Sequence, residues 1–357
     1  MAPQPGAEGL PANTAAILRE VIGIAKTPGT LTERAEALLV QLQRVVRFDA
    51  GWLALLPPDR DTFMTLARSG YDARVRSYMD DDAGMLHDAE QIGLRRSRQP
   101  LRLRDCPIPL PELASWTEYL EPAGFRDAVG AGLFTADGRY LGVLSMHTEA
   151  ADQVSEATRD LIGILAAPIA AAVDPWRLLA RIAGLVQRAS AAVVLAPSGA
   201  VLPLPGLPGH RLLAAGSGVL AAATAQLAQD GPHVTFLAPL PTAEDTEGDG
   251  RAGAQTHARI TVLAAPPDVR RFAAAVVLVS PAGELHGLSR RDLQVLGWLV
   301  TGAPNEAIAQ ALGISTGTVE VHVDQVRAKL GAPTRTAAAA QALRRGLFVP
   351  SFRDVRA

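Results

Sequence analysis

The stretch that decides the reading runs from Leu288 to Leu347: LSRRDLQVLGWLVTGAPNEAIAQALGISTGTVEVHVDQVRAKLGAPTRTAAAAQALRRGL. Four short apolar-periodic segments follow one another in it, separated by Gly and Pro, with connections too short for anything but a compact bundle. Ser289 is placed to cap a first helix, with Asp292 three residues on in capping-box position. Leu293, Leu296 and Val300 give that helix one apolar face, and Gly302 stops it. A second helix opens at Pro304 and Asn305, sets Ile308 and Leu312 one turn apart, and ends at Gly313. Ser315 can cap a third, in which Val319, Val323, Val326 and Leu330 step along one inward side and leave the other side free. A turn through Gly331, Ala332 and Pro333 leads to a fourth, rich in Ala, that ends at Gly346. Two short helices crossing at a tight turn, the second half exposed, is the geometry that lays a helix in the DNA major groove.

On these residues the segment 286–348 resembles a LuxR-type helix-turn-helix domain. The family's opening Leu-Thr-x-Arg-Glu…Val-Leu is matched by Leu288, Ser289, Arg291, Asp292, Val295 and Leu296, and its Gly-x-x-Asn…Ile-Ala by Gly302, Asn305, Ile308 and Ala309. Ser315, Thr318, Val319, His322 and Val323 follow its Ser-x-x-Thr-Val-x-x-His-Val, and Lys329, Leu330, Gly331, Arg335 and Thr336 its Lys-Leu-Gly…Arg-Thr. The resemblance implies binding to double-stranded DNA, generally as a homodimer on inverted half-sites, with the Ala-rich fourth helix as a packing surface for the partner copy. The departures are chemical. Glu320 and Asp324 stand where Lys is frequent next to base edges, and Ala307 where Glu is usual. Two carboxylates one turn apart repel each other and phosphate, yet they can accept from cytosine N4–H, with Val321 between them facing a thymine methyl. Phosphate affinity then falls to Arg327, Lys329, Arg335, Arg344 and Arg345, and to backbone amides at Asn305 and at Ser315, Thr316 and Thr318. The alternative is a ligand- or partner-binding regulatory scaffold whose helix-turn-helix has weak or no DNA affinity.

The rest of the chain is long enough for further domains with cores of their own. Of its 357 residues 48% are apolar and 20% charged, which is ordinary globular composition. From His286 onward nine Lys and Arg face five Asp and Glu, against 34 and 36 in the whole chain, so the C-terminal end is the basic one. Cys106 is the single cysteine, which excludes an internal disulfide and a Cys-based zinc site and fits a reducing cytoplasm. Residues 1–13 read as a disordered tail without the basic start and apolar run of a signal peptide. The longest apolar run, Leu161 to Val173, is too short to span a bilayer. Lys26 and Lys329 are the only lysines, and neither follows the glycine that a phosphate-binding Gly-Lys-Ser/Thr loop requires. Nor does either sit where a phospho-receiver domain needs one.

Between Thr14 and about Arg47 the pattern is helical, with Ile17, Val21 and Ile24 on one stripe and Ala35, Leu38, Leu42 and Val45 on another. AGWLALL and TFMTLARSG then read as paired strands, residues 72–121 as a mixed segment, and the runs around Asp137-Gly138 as a hairpin. A helix from about Ser155 to Val173 closes the set. Residues 14–175 in this order, with Tyr140-Leu141-Gly142-Val143-Leu144 as penultimate strand, resemble a GAF domain: an antiparallel sheet flanked by helices. The resemblance implies a small-molecule ligand between sheet and middle segment, in a pocket lined by Trp52, Phe63, Trp116, Phe134 and Met146. It does not extend to a bilin site, because Cys106 is followed by Pro107 rather than His. His87 and His147 are isolated candidates for a haem ligand, and none of these cofactors is expected.

Residues 177–280 read as a second small α/β unit, loosely PAS-like. VVLAPSGAVLPLP forms a hairpin around Ser198-Gly199, Leu212 to Ala228 a helix, and VTFLAPL, ARITVLA and AAAVVLVS three strands. An acidic, Gly-rich loop at 241–257 interrupts them without the ligand order of a calcium loop. The expectation is a multidomain α+β chain: GAF-like sensor, PAS-like unit, helix-turn-helix at 286–348 and a tail at 349–357. It is read as a cytoplasmic one-component transcription factor with DNA, a second copy, an effector and RNA polymerase as partners, and with no metal or cofactor. The seven His residues are scattered and no catalytic constellation stands out.

Overall fold

The computed structural model of the chain describes residues 14–81, 83–240 and 256–351. The tail read at 1–13, the loop read at 241–257 as far as residue 255, and the C-terminal tail from 352 lie outside the described residues. The fold is multidomain α+β, with two compact units dividing between Pro175 and Trp176.

The first unit begins with α1 (Thr14–Lys26) and α2 (Leu31–Gln43), so the helical pattern read to Arg47 is two helices. They part at Pro28-Gly29, and Thr30 starts the second one with a capping box to Glu33. β1 (Ala50–Leu55) and β2 (Met64–Ser69) lead to α3 (Ala73–Asp81) and α4 (Gly84–Gln91), a short edge strand β3 (Leu101–Arg102), and a π-helical turn at Ser115–Leu120. β4 (Asp127–Phe134) and β5 (Tyr140–Thr148) form the hairpin, and α5 (Glu156–Val173) starts on Ser155, whose hydroxyl accepts from the Thr158 amide. The sheet runs β2-β1-β5-β4-β3, antiparallel throughout. Period-two alternation divides its residues between two faces. Ala50, Trp52, Ala54, Ala128 and Val143 share a core with the 75–120 segment, while the neighbouring Gly51, Leu53, Val129, Leu144 and Met146 take the face covered by α2 and α5, on which α1 packs in turn.

The second unit opens with α6 (Pro175–Ala183), a helix that the sequence reading did not separate out. β6 (Ala191–Leu195) and β7 (Val201–Pro203) make the hairpin at Ser198-Gly199. α7 runs Gly218–Asp230, several residues later than read, because Ser217 accepts from the Leu220 amide and fixes the start there. β8 (His233–Pro239), β9 (His257–Ala264) and β10 (Ala275–Pro281) complete an antiparallel sheet in the order β7-β6-β10-β9-β8. β9 already begins at His257, so the last residue assigned to the acidic loop belongs to the sheet.

The four C-terminal helices are α8 (Arg290–Val300), α9 (Asn305–Leu312), α10 (Thr316–Leu330) and α11 (Arg335–Arg345). Gly313, Gly331 and Gly346 close the last three in the left-handed conformation, which favours residues without a Cβ. These helices and the second sheet share one apolar core. The segment after α11 lies between them: the Leu237 amide of β8 donates to Phe348 O (2.8 Å), and the Val349 amide donates to Leu293 O of α8 (3.0 Å). Val349, read as the first residue of a tail, is therefore core. Its carbonyl lies against Gly297 so closely that a Cβ there would collide with it.

Candidate nucleic-acid interface and ligand cavity

α10 buries Val319, Val323, Val326 and Leu330 on one side and exposes Gly317, Glu320, Val321, Asp324 and Ala328 on the other, with Val321 at 54%. Such a division is what spacings of three and four produce when one stripe meets α8 and α9 and the other meets nothing. Ser315 accepts from the Thr318 amide (3.1 Å) and its hydroxyl meets that of Thr318 (2.8 Å), leaving the amides of Thr316 and Gly317 pointing off the helix end. α9 starts at Pro304 with no side-chain cap, so its first amides are also open.

Of the cations read as phosphate ligands, Arg327, Lys329 and Arg335 have partners inside the fold, while Arg344 and Arg345 are exposed. Arg327 donates to Asp324 (3.1 Å) and to Pro333 O (2.8 Å). Arg335 donates to Asn305 Oδ1 (3.2 Å) and Ala303 O (2.7 Å), which joins the start of α11 to the turn before α9. Lys329 Nζ donates to Asp292 Oδ2 (2.7 Å). Asp292 is fully buried and ties the start of α8 to α10 through three donors, since its carboxylate also accepts from the Ser289 amide (2.9 Å) and from His322 Nδ1 (2.8 Å). Burial acts to raise its pKa, but the hydrogen bonds from Lys329, Ser289 and His322 outweigh that and hold it below the usual aspartate value. The capping-box spacing pointed to Asp292 as a helix start only. Its hold on the exposed helix needed the fold to bring His322 and Lys329 to it.

In the first unit a cavity of about 90 Å³ lies between the sheet and the 85–120 segment. Of the residues read for a ligand pocket, Trp52, Phe63 and Trp116 line this cavity, and Phe134 and Met146 do not. Met146 points to the opposite face because β5 turns Val143, Ser145 and His147 toward the cavity. Phe134 is separated from it where the Leu94 backbone packs on Gly132, and it meets Tyr140 and Arg98 instead. The polar lining was missed. His147 Nδ1 is 2.7 Å from the Tyr71 hydroxyl and its Nε2 is 3.3 Å from Ser145 Oγ. Burial lowers the His147 pKa to about 4, so the ring is neutral at pH 7. Asp88, 4% exposed, accepts from the Ser115 amide (2.7 Å) at the head of the π-helical turn. The alternation of β5 carried the signal for Ser145 and His147, whereas Asp88 lies in a segment without a usable period. Among the described residues no group of His, Cys, Asp and Glu is arranged to hold a metal, and no single helix is long and apolar enough to cross a membrane.

Residues 286–342 match the family model described as bacterial regulatory proteins, luxR family, so the chain carries a domain of that family. Over 71 residues it is 38% identical to the transcriptional regulatory protein LnrK of Bacillus subtilis (strain 168), covering 20% of this chain and 32% of that one. The chain thus spans about a third of the length of that curated relative. A GAF domain from a phosphoenolpyruvate-protein phosphotransferase of Coxiella burnetii is similar over 49% of this chain and 98% of its own, at 18% identity and a TM-score of 0.34. SdiA of Escherichia coli is similar over 94% of this chain and 99% of its own, at 16% identity and a TM-score of 0.34.

Proposed function

We propose that the chain is a one-component transcription factor, acting in the cytoplasm, that binds double-stranded DNA through α10. The observation that carries this reading is the outward stripe of α10, presented on a helix whose inward side is fully packed. The luxR-family domain and the name of the B. subtilis relative support it. In this reading Glu320 and Asp324 accept from cytosine amino groups and Val321 meets a thymine methyl, so readout comes from carboxylates rather than lysines. Phosphates are met by the open amides of α9 and α10 and by the exposed Arg344. Thr336, Ala340 and Leu343, exposed on α11 at helical spacing, form the contact between two copies. The cavity of the first unit holds an effector that favours one arrangement of the dimer, which contacts RNA polymerase.

The test is fluorescence anisotropy of the full chain on its own upstream DNA across a salt series. Binding with log K falling linearly in log salt, at a slope of about −0.9 per phosphate contacted, is the expected result. A second reading has its own observation: Arg327, Lys329 and Arg335 are all engaged internally beside an acidic face, as suits a partner-binding scaffold. Binding absent in the wild type and gained in the Glu320→Lys, Asp324→Lys double variant favours that second reading.

A further inference from the structure

Asp88 presents a problem that the fold leaves open. It is 4% exposed, on α4, and lines the cavity. One carboxylate oxygen accepts from the Ser115 amide. Among the described residues nothing donates to the other oxygen, and no Lys, Arg or His forms an ion pair with it. Aspartate is almost never buried without a cationic or fully hydrogen-bonded partner, because taking the charge out of water costs far more than one amide returns. The positive groups in range are already occupied or absent. Arg102 lines the cavity but its guanidinium is held by Asp105 through two hydrogen bonds (2.6 and 3.2 Å). His147 is neutral near pH 7 and is committed to Tyr71 and Ser145.

The remaining wall is largely apolar, with the rings of Trp52, Phe63 and Trp116 set among aliphatic side chains such as Ile92, Leu94 and Leu113. Trp52 and Phe63 stand edge to face at 5.4 Å, and Trp116 follows Ser115 in the π-helical turn. Trp52 Nε1 donates to Thr65 (2.9 Å), which fixes the indole in place. A buried carboxylate together with aromatic rings is the donor set that binds an ammonium group, through charge-assisted hydrogen bonds and the attraction of a cation to a ring face. From this we propose that the cavity takes a small organic ammonium, its N–H groups on Asp88 and its apolar body among Trp52, Phe63 and Trp116. The proposal rests on the reading of this cavity as an effector site and names the class of effector. At about 90 Å³ the cavity is smaller than the roughly 150 Å³ that accepts the six carbons of benzene, so the body has about three to five non-hydrogen atoms.

The experiment is calorimetric titration and thermal melting of the full chain at pH 7.5 with three probes of nearly one size: isobutylammonium chloride, isobutanol and sodium isobutyrate. The expected result is that isobutylammonium binds and raises the melting temperature, isobutanol binds at least tenfold more weakly, and isobutyrate does not bind. Asp88→Asn keeps an oxygen for the Ser115 amide, and so the fold; it is expected to weaken isobutylammonium at least tenfold while leaving isobutanol unchanged. Trp116→Leu is expected to weaken the ammonium severalfold. Isobutanol binding as tightly as isobutylammonium, with Asp88→Asn changing neither, overturns the ammonium class while leaving the cavity as an effector site. No probe binding overturns the proposal and removes the cavity from the functional reading, and DNA binding, measured separately, is untouched by that result.

Discussion

Replacing Asp292 with Ala removes, in one step, the acceptor for the Ser289 amide, for His322 Nδ1 and for Lys329 Nζ. Loss of the capping box costs about 1 kcal/mol. The two side-chain bonds are charge-assisted and carry about 1.5–3 kcal/mol each where water is excluded. Lys329 and His322 keep 32% and 19% of their side-chain exposure and recover part of that from solvent. The net expectation is about 3 kcal/mol for Asp292→Ala, and about half of it for Asp292→Asn, which retains the volume and one acceptor. Hydrogen exchange of the α10 amides in the full chain reads this directly: about 3 kcal/mol is roughly a hundredfold faster exchange if α10 opens through loss of this anchor. The acid limb supplies a second reading. Asp292 titrates below the usual aspartate range in the folded chain, so its contribution is complete above the unfolded value of about 3.9 and is lost as pH falls through the lower folded value. The gap between wild type and Asp292→Asn must therefore narrow in that window. Exchange in Asp292→Ala within threefold of wild type at pH 7 would refute the claim that this carboxylate holds the exposed helix.

Gly297→Ala places a methyl group where the Val349 carbonyl lies, so the C-terminal segment must leave its seat; a fall in urea midpoint equivalent to about 2–3 kcal/mol is expected, and an unchanged midpoint counts against the close approach. His147, with its pKa lowered by burial from 6.5 to about 4, takes up a proton more readily unfolded than folded. Its unit therefore holds full stability above about pH 6.5 and loses about 3 kcal/mol as pH falls from there to 4; His147→Gln should flatten that slope in pH-dependent chemical denaturation. Arg259→Lys keeps the charge but not the fork that reaches Ala282 O and Arg345 O together, and it should cost about 1–2 kcal/mol in the same assay, with no change in midpoint speaking against the clamp. Glu320→Lys should alter which bases are preferred in a randomised-site selection, and an unchanged site would mean that this face of α10 does not touch base edges.

The legible parts of the chain are those where a local rule has a single solution. Ser289 with Asp292, Ser315 with Thr318 and the glycines at 313, 331 and 346 are short-range signals, and each helix end lies where they place it. Asp137-Gly138 and Ser198-Gly199 fixed two hairpins for the same reason. The cavity lining was half legible. Hydrophobic size selects Met146 and Phe134, but strand parity and the Leu94–Gly132 contact decide which face and which end a side chain occupies. Partners far apart in sequence were not legible at all: Asp292 with Lys329, Asn305 with Arg335, and Arg259 with Arg345 are pairs only after the chain has folded.

Those distant pairs bear on how the DNA-binding module can be controlled. A helix-turn-helix on a free linker would have to be positioned by its partner copy alone. Here one guanidinium on β9 holds both ends of the module, donating to Ala282 O where the chain leaves the sheet for α8 and to Arg345 O where α11 ends. Gly346 is part of that joint, since its left-handed turn lies against Thr235 of β8 where a side chain would not fit. Burial lowers the Arg259 pKa, as expected of a cation held in carbonyl contacts away from water rather than in solvent. The apolar core is continuous from the second sheet to the four helices. On the proposed dimeric reading, control of DNA binding acts on how two copies pair or on α10 within one of them, and the Asp292 anchor is where the second of these would register.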